Sequence, residues 1–494
     1  MWIDQIARGH DPDTCAIIDH DGARLSYGAL ETAVADAAAC LRGQGVRPGD
    51  RVLLAAENCA LFVVVLLAVV RLRAWCVPVN ARMGASELDA IIAHAGPRAC
   101  VFTTAASADA QAHAVRLGAV ERGKVAGAVL VLSADPHARA EPQDQTPEAQ
   151  VAAMLYTSGT TGQPKGVMLT HTNLAFNAMM AARMRALTPD DEVLVVLPGT
   201  HVMALSTAIL AALMAGARMR LLARFTPQAV LDALADGVSI MPAVPAMYDQ
   251  ILRHLDASGA SLDAPDLRLI GTGGAPLDPG WKARIEARFG LVLNNGYGLT
   301  EAGPGISSTA LGPARADSSV GYVYPDCAVR IDSPAADGVG ELLVRGPNVM
   351  KGYYRNAQAT AQVIDAEGFL HTGDLARMDP DGALHIVGRN KELIIRSGFN
   401  VYPPEVEAVL SACPGVIQAA VAGRPVPGNE EVIAFAITDG TLSAQALRDW
   451  ARDRLTGYKV PAHVVLVPEM PVTAAGKVRK HELLARHAAE LPGA

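Results

Sequence analysis

Up to about Gly388, short apolar runs alternate with Ala- and Leu-rich stretches of helical spacing. The runs Glu192–Pro198, Met219–Ala223, Val238–Val244, Leu267–Gly271 and Leu291–Asn295 read as strands. Several end in Gly, Pro or Asn and lead into a helical segment, which predicts α/β layers with largely parallel sheets and ligands at the carboxyl ends of strands. From Val320 the texture changes. Gly321, Gly338-Val339-Gly340, Gly346 and Gly352 punctuate shorter runs and predict a small β-rich unit. After Arg389 the pattern is mixed, with helices expected at Pro403–Ala412 and Ala444–Leu455 and strands at Gln418–Ala422, Glu431–Thr438 and His463–Val467. The expected division is a large domain over 1–388 and a separate α+β domain over 389–494. His137–Glu148, rich in Pro, Gln and Ala, reads as a surface loop. The longest apolar run, Ala60–Val70, is closed by Arg71 and is too short to span a bilayer, so a buried helix is expected.

Composition narrows the class. The chain has 494 residues, half of them hydrophobic and 19% charged, a balance that builds several buried cores rather than a disordered chain. A net charge of −8 argues against a nucleic-acid partner, yet leaves room for small anions held by backbone amides and a few lysines. Cysteines at 15, 40, 59, 76, 100, 327 and 413 form no close pair, which is expected of reduced thiols in a cytoplasmic protein. The N-terminal segment has no apolar signal region.

One string carries chemistry. Tyr156-Thr157-Ser158-Gly159-Thr160-Thr161-Gly162-Gln163-Pro164-Lys165-Gly166 follows the apolar strand Val151–Leu155. Its three glycines let backbone amides face a ligand, its four Ser/Thr hydroxyls add donors and Lys165 adds charge, a set suited to a polyphosphate. Pro164 stands where a Walker A loop needs its second glycine, so the string is a different motif.

The same string resembles the signature of the adenylate-forming (ANL) superfamily, and the resemblance continues in order over essentially the whole chain. Gly274-Ala275-Pro276-Leu277 is similar to the family's adenine loop. Asn295-Gly296-Tyr297-Gly298-Leu299-Thr300-Glu301 is similar to its nucleotide and magnesium motif. His371-Thr372-Gly373-Asp374 resembles the ribose motif, Gly388-Arg389-Asn390-Lys391-Glu392 the hinge, Ser397-Gly398-Phe399-Asn400 the loop after it, and Pro471-Val472-Thr473-Ala474-Ala475-Gly476-Lys477 the catalytic-lysine loop. The resemblance implies an α/β fold with a large N-terminal domain of layered α/β subdomains plus a β-rich subdomain, and a small mobile α+β C-terminal lid. It implies that Thr300 bonds the α-phosphate and that Glu301 holds Mg2+, a hard cation that wants carboxylate oxygen. Tyr297 offers adenine a flat face and Asn295 an amide. Asp374 and Arg389 would share the ribose, and Lys477 would counter charge at the reacting carboxylate. Lys391 is the expected hinge, and Gly398 the residue that lets a pantetheine arm pass. Lys480 stands where the family pattern has arginine.

In relatives of this kind a carboxylate attacks the α-phosphorus of ATP, pyrophosphate leaves, and a thiol then displaces AMP. The expected substrates are ATP with Mg2+, a small-molecule carboxylic acid and coenzyme A. The acid pocket is expected around His201–Leu205, Val244, Gly271–Gly274 and Gly303–Ile306, where candidates are small or apolar and no aspartate follows Gly199 to pair an ammonium group. A fatty acid of medium or longer chain is the first expectation, with an aryl acid or the loading of a carrier protein as alternatives. A homodimer stays open.

Overall fold

The computed structural model describes residues 1–158, 164–335, 337–397, 399–426, 429–472 and 478–491, and for Ser158 the backbone alone. Two large sheets form the bulk of the chain. The first has nine strands, in the order Tyr322–Val323, Gly305–Ser308, Leu293–Gly298, Leu269–Gly273, Ile240–Ala243, Glu192–Val195, Arg218–Leu221, Cys15–Ile18 and Arg24–Ser26. From Leu293–Gly298 to Cys15–Ile18 every neighbouring pair is parallel, as the strand–helix alternation requires. The second has eight, in the order Gly352–Tyr353, Pro164–Thr170, Val151–Ser158, Trp75–Asn80, Arg51–Ala56, Ala99–Phe102, Ala128–Ala134 and Val120–Val125.

Helix Ala60–Arg71 carries no polar residue before Arg71 and is buried along its length, in the core shared by the two sheets. That is where an all-round apolar helix of this length belongs. Just before it, Asn58 ties the sheets together. Its side-chain amide donates to the carbonyls of Val195 (3.2 Å), Leu197 (2.9 Å) and Leu222 (3.1 Å), and its carbonyl accepts from the Gly199 amide at 2.7 Å.

A four-stranded antiparallel sheet, Ala328–Asp332, Gly340–Arg345, Leu370–Met378 and Leu384–Arg389, is the β-rich unit expected after Val320. Beyond it, Val416–Val426, Asn429–Thr438 and His463–Leu466 form a separate sheet, packed by helices Pro403–Ser411 and Ala444–Arg452 into a core of its own. All seven cysteines are free thiols, and no described helix is long and apolar enough to cross a membrane.

The sequence reading differs from the structure in one instructive place. The strand expected over Leu291–Asn295 begins later and runs on through Gly296-Tyr297-Gly298, whose composition reads as a turn, as Leu293–Gly298. It is gripped on both sides, in parallel register with Leu269–Gly273 and antiparallel to Gly305–Ser308. The glycines permit a tight approach rather than a bend: a Cβ at Gly298 would lie 2.0 Å from the Pro304 carbonyl oxygen, and one at Gly273 2.9 Å from that of Gly296.

Replacing Asn58 with Leu leaves buried carbonyls unpaired. It is expected to cost about 2–4 kcal/mol, read as a lower urea midpoint; an unchanged midpoint would show that the bridge is not needed.

Candidate active site

The phosphate-loop string is the tip of a hairpin. Strands Val151–Ser158 and Pro164–Thr170 pair in antiparallel register through Tyr156 with Gly166, Thr157 with Lys165, and Ser158 with Pro164. Gly159, Thr160, Thr161 and Gly162 lie outside the described residues, as do Gly398 and Lys477. The hairpin leads straight into helix His171–Met184, whose first turn is closed by a capping box between Thr170 and Asn173.

That helix organises the rest. Asn173 and Asn177 sit one turn apart on its buried face. Asn173 donates to the carbonyls of Pro347 (2.8 Å) and Val349 (2.9 Å). Asn177 donates to the Ala302 carbonyl at 3.3 Å and accepts from the Gly305 amide at 2.7 Å. The turn Thr300–Ala302 is thereby held against the helix that leaves the phosphate hairpin. Sequence reasoning passed over both residues, though two amides four apart on an otherwise apolar helix face are a readable signal.

Within the turn, the Glu301 carboxylate accepts from the Tyr353 hydroxyl at 2.8 Å through Oε1, and its backbone carbonyl accepts from the Met350 amide at 2.8 Å. Oε2 makes no hydrogen bond to a described residue, so the donor set fits a hard divalent cation. Lys165 holds its ammonium 4.8 Å from the centre of the Tyr353 ring.

The ribose-motif residues are also brought together. Asp374 and Arg389 stand opposite each other on neighbouring strands, with Arg389 Nε 3.2 Å from Asp374 Oδ1. The Tyr297 hydroxyl donates to Asp374 Oδ2. Burial, and then the Asp374 charge, raise the Tyr297 phenol well above its ordinary pKa, so it stays a protonated donor. Asn295 departs from expectation. It is buried, and its amide, expected at an adenine edge, donates to the Ser319 carbonyl at 3.0 Å.

Gly274, Ala275 and Pro276 form an exposed loop between strand Leu269–Gly273 and helix Pro279–Phe289. A Cβ at Gly274 would stand 4.0 Å from both Met203 Sδ and Val244 Cγ1, so the expected acid-pocket segments meet at this strand end. Ser206 Oγ donates to the Gly303 carbonyl at 3.0 Å and draws the fourth segment in. His201 is exposed and caps the short helix Val202–Ala204, its Nδ1 accepting from the Met203 amide at 3.3 Å.

In the C-terminal domain, Lys391 lies in the single turn Asn390–Glu392 that follows Arg389. Lys480 Nζ bonds Glu392 Oε2 at 2.9 Å and Glu407 Oε1 at 2.8 Å. Burial alone would depress this ammonium, but Glu407 and Glu392 outweigh it and hold its pKa above the ordinary lysine value.

Two family models cover this architecture: that of the AMP-binding enzymes over residues 4–354, and that of their C-terminal domain over 405–477. The chain is an AMP-binding enzyme. A feruloyl-CoA synthase of an Amycolatopsis species is 37% identical over 485 residues, 95% of each chain. An indoleacetate–CoA ligase of Aromatoleum aromaticum is 34% identical over 504 residues, covering 98% of this chain and 96% of the relative. Among solved structures, ATP-bound MatB from Rhodopseudomonas palustris superposes with a TM-score of 0.86 at 31% identity, over 99% of each chain. This AMP-binding enzyme is an ATP-dependent, AMP-forming acid–CoA ligase.

Lys480→Met would leave Glu392 and Glu407 without their shared cation, at an expected cost of about 1–3 kcal/mol; Lys480→Arg should retain most of it. Because the folded-state pKa is raised, the ammonium's contribution is complete below the unfolded value of about 10.4 and lost as pH rises through the folded one. The difference in melting temperature between wild type and Lys480→Met should therefore be level from pH 7 to about 9 and shrink above about 10.5. A difference that grew with alkalinity would contradict the assignment.

Proposed function

We propose that this ligase activates an aryl or other ring-bearing carboxylic acid and transfers it to coenzyme A. The observation that carries the reading is the strand end at Gly273-Gly274, a stretch without side chains on which the apolar Met203 and Val244 converge. The names of the relatives point the same way, since feruloyl and indoleacetate groups both carry rings. The sequence-based preference for a fatty acid rested on apolar pocket residues, and a ring satisfies those equally well. The alternative of a carrier-protein acceptor becomes an outcome of the test.

In this reading the large domain, 1–388, holds the nucleotide. Thr157, Ser158, Gly159, Thr160, Thr161, Gly162 and Lys165 cradle the β- and γ-phosphates, and Gly274, Ala275, Pro276 and the Gly296-Tyr297-Gly298 strand border the adenine. Asp374 and Arg389 take the ribose. Thr300 bonds the α-phosphate, Glu301 holds Mg2+, and His201 stands near the acid's carboxylate. Mg2+ bound there supplies charge neutralisation on the phosphates. The substrate carboxylate is already a nucleophile, so the chain's residues act by alignment and by charge: they hold it in line with the α-phosphorus while the bond to pyrophosphate breaks. Lys477 offsets the negative charge that gathers there. The lid, 389–494, then turns about Lys391, and the coenzyme A thiol enters past Gly398 to expel AMP.

A panel of benzoate-, cinnamate- and alkanoate-type acids, read as kcat/KM with coenzyme A, tests the substrate class. Ring-bearing acids should lead; an alkanoate optimum, or thioester formed on a carrier protein but not on coenzyme A, would overturn the reading. Lys477→Ala should slow adenylation by on the order of 10²–10³-fold while sparing thioester formation from supplied acyl-adenylate. Equal losses in both steps would exclude that role.

A further inference from the structure

Tyr353 occupies a place that neither the motifs nor the proposed chemistry uses. The short strand Gly352–Tyr353 lies along the strand that leaves the phosphate loop, Tyr353 opposite Val167 and Gly352 opposite Met168. Flanking bonds fix it there: the Tyr354 amide donates to the Gly166 carbonyl at 2.8 Å and the Lys351 amide to that of Met168 at 2.9 Å. The Tyr353 backbone amide donates to Thr360 Oγ1 at 2.9 Å. From this anchorage the side chain reaches across to the Thr300–Ala302 turn. Its ring faces Lys165 and, with Lys165 and His94, lines a cavity of about 160 Å³. Its hydroxyl ends on Glu301 Oε1.

The turn does not need that hydroxyl to stay in place. Its backbone is already held through the Glu301 carbonyl by Met350 and through the Ala302 carbonyl by Asn177. What the hydroxyl fixes is the carboxylate itself, a side chain with several rotatable bonds and otherwise costly to order. With Oε1 engaged, Oε2 is the oxygen left to a ligand.

We infer that Tyr353 is a positioning residue for the metal–nucleotide site: it orients the Glu301 carboxylate toward the phosphates and sets its distance from the phosphate-loop strand. The inference rests on the proposed role of Glu301. It calls for three proteins, wild type, Tyr353→Phe and Glu301→Gln, titrated with Mn2+ in the presence of α,β-methylene-ATP and followed by electron paramagnetic resonance. Groups that orient a metal ligand typically change affinity by roughly 10–100-fold, so Tyr353→Phe should weaken Mn2+ binding by that factor. Its thioester formation from supplied acyl-adenylate should remain at the wild-type rate, which also shows an intact fold. Wild-type affinity in Tyr353→Phe beside weakened binding in Glu301→Gln would overturn the inference and leave the reading of Glu301 standing. Wild-type affinity in both would remove that reading, and the inference with it. Loss of thioester formation in Tyr353→Phe to the same degree as its loss of Mn2+ binding would mark the tyrosine as structural only and overturn the inference.

Discussion

Buried loop backbone must find hydrogen-bond partners, and in this enzyme asparagine side chains supply them. A buried carbonyl or amide without a partner costs as much as several favourable contacts return. Strand ends are where that risk gathers, because the ladder stops while the chain is still inside. Asn58 closes the ends at Val195–Gly199 and Leu222, Asn173 the segment Pro347–Val349, Asn177 the ends at Ala302 and Gly305, and Asn348 adds a bond to the Gly305 carbonyl at 2.9 Å. Each amide is both donor and acceptor, so one side chain can serve two facing segments. The result is a set of loops that would be mobile on a surface but are fixed here, with the ligand-facing residues strung between them.

Much of the fold was legible because its signals are local. The strand–helix alternation foretold the parallel centre of the nine-stranded sheet, and the glycine punctuation after Val320 foretold the four-stranded antiparallel sheet. The motifs, read by resemblance, gave Asp374 and Arg389 one shared ribose, and the structure sets their side chains against each other. What the sequence hid is pairing. Gly296-Tyr297-Gly298 reads as a turn by composition, and only neighbours on both sides reveal a strand whose glycines admit close backbones. Asn295 offered an amide for adenine until its distant partner, Ser319, came into view. Tyr353, likewise, is an ordinary aromatic residue until the fold carries its hydroxyl to Glu301, 52 positions away in sequence.

Charges run from the four-stranded sheet to the C-terminal helices in sequence. Asp374 pairs with Arg389, Arg389 lies 3.8 Å from Glu392, and Glu392 shares Lys480 with Glu407. The pairs differ in character. Lys480 is largely enclosed, whereas the Arg389 side chain is 52% exposed. Exposed pairs are weak and screened by salt, and enclosed ones are persistent. The chain of charges therefore has a firm end at Lys480 and a soft, solvent-screened end at Asp374 and Arg389.

The hairpin that bears the phosphate loop has a consequence for how this loop can change. Its two strands face each other residue for residue, and side chains on a strand alternate between faces. Sliding one strand past the other by a single position would turn Lys165 to the opposite side of the sheet, away from Tyr353, with every atom of the loop still present. The face that Lys165 shares with Tyr353 is thus protected by arithmetic parity as much as by chemistry, because an odd step within the paired arms inverts it.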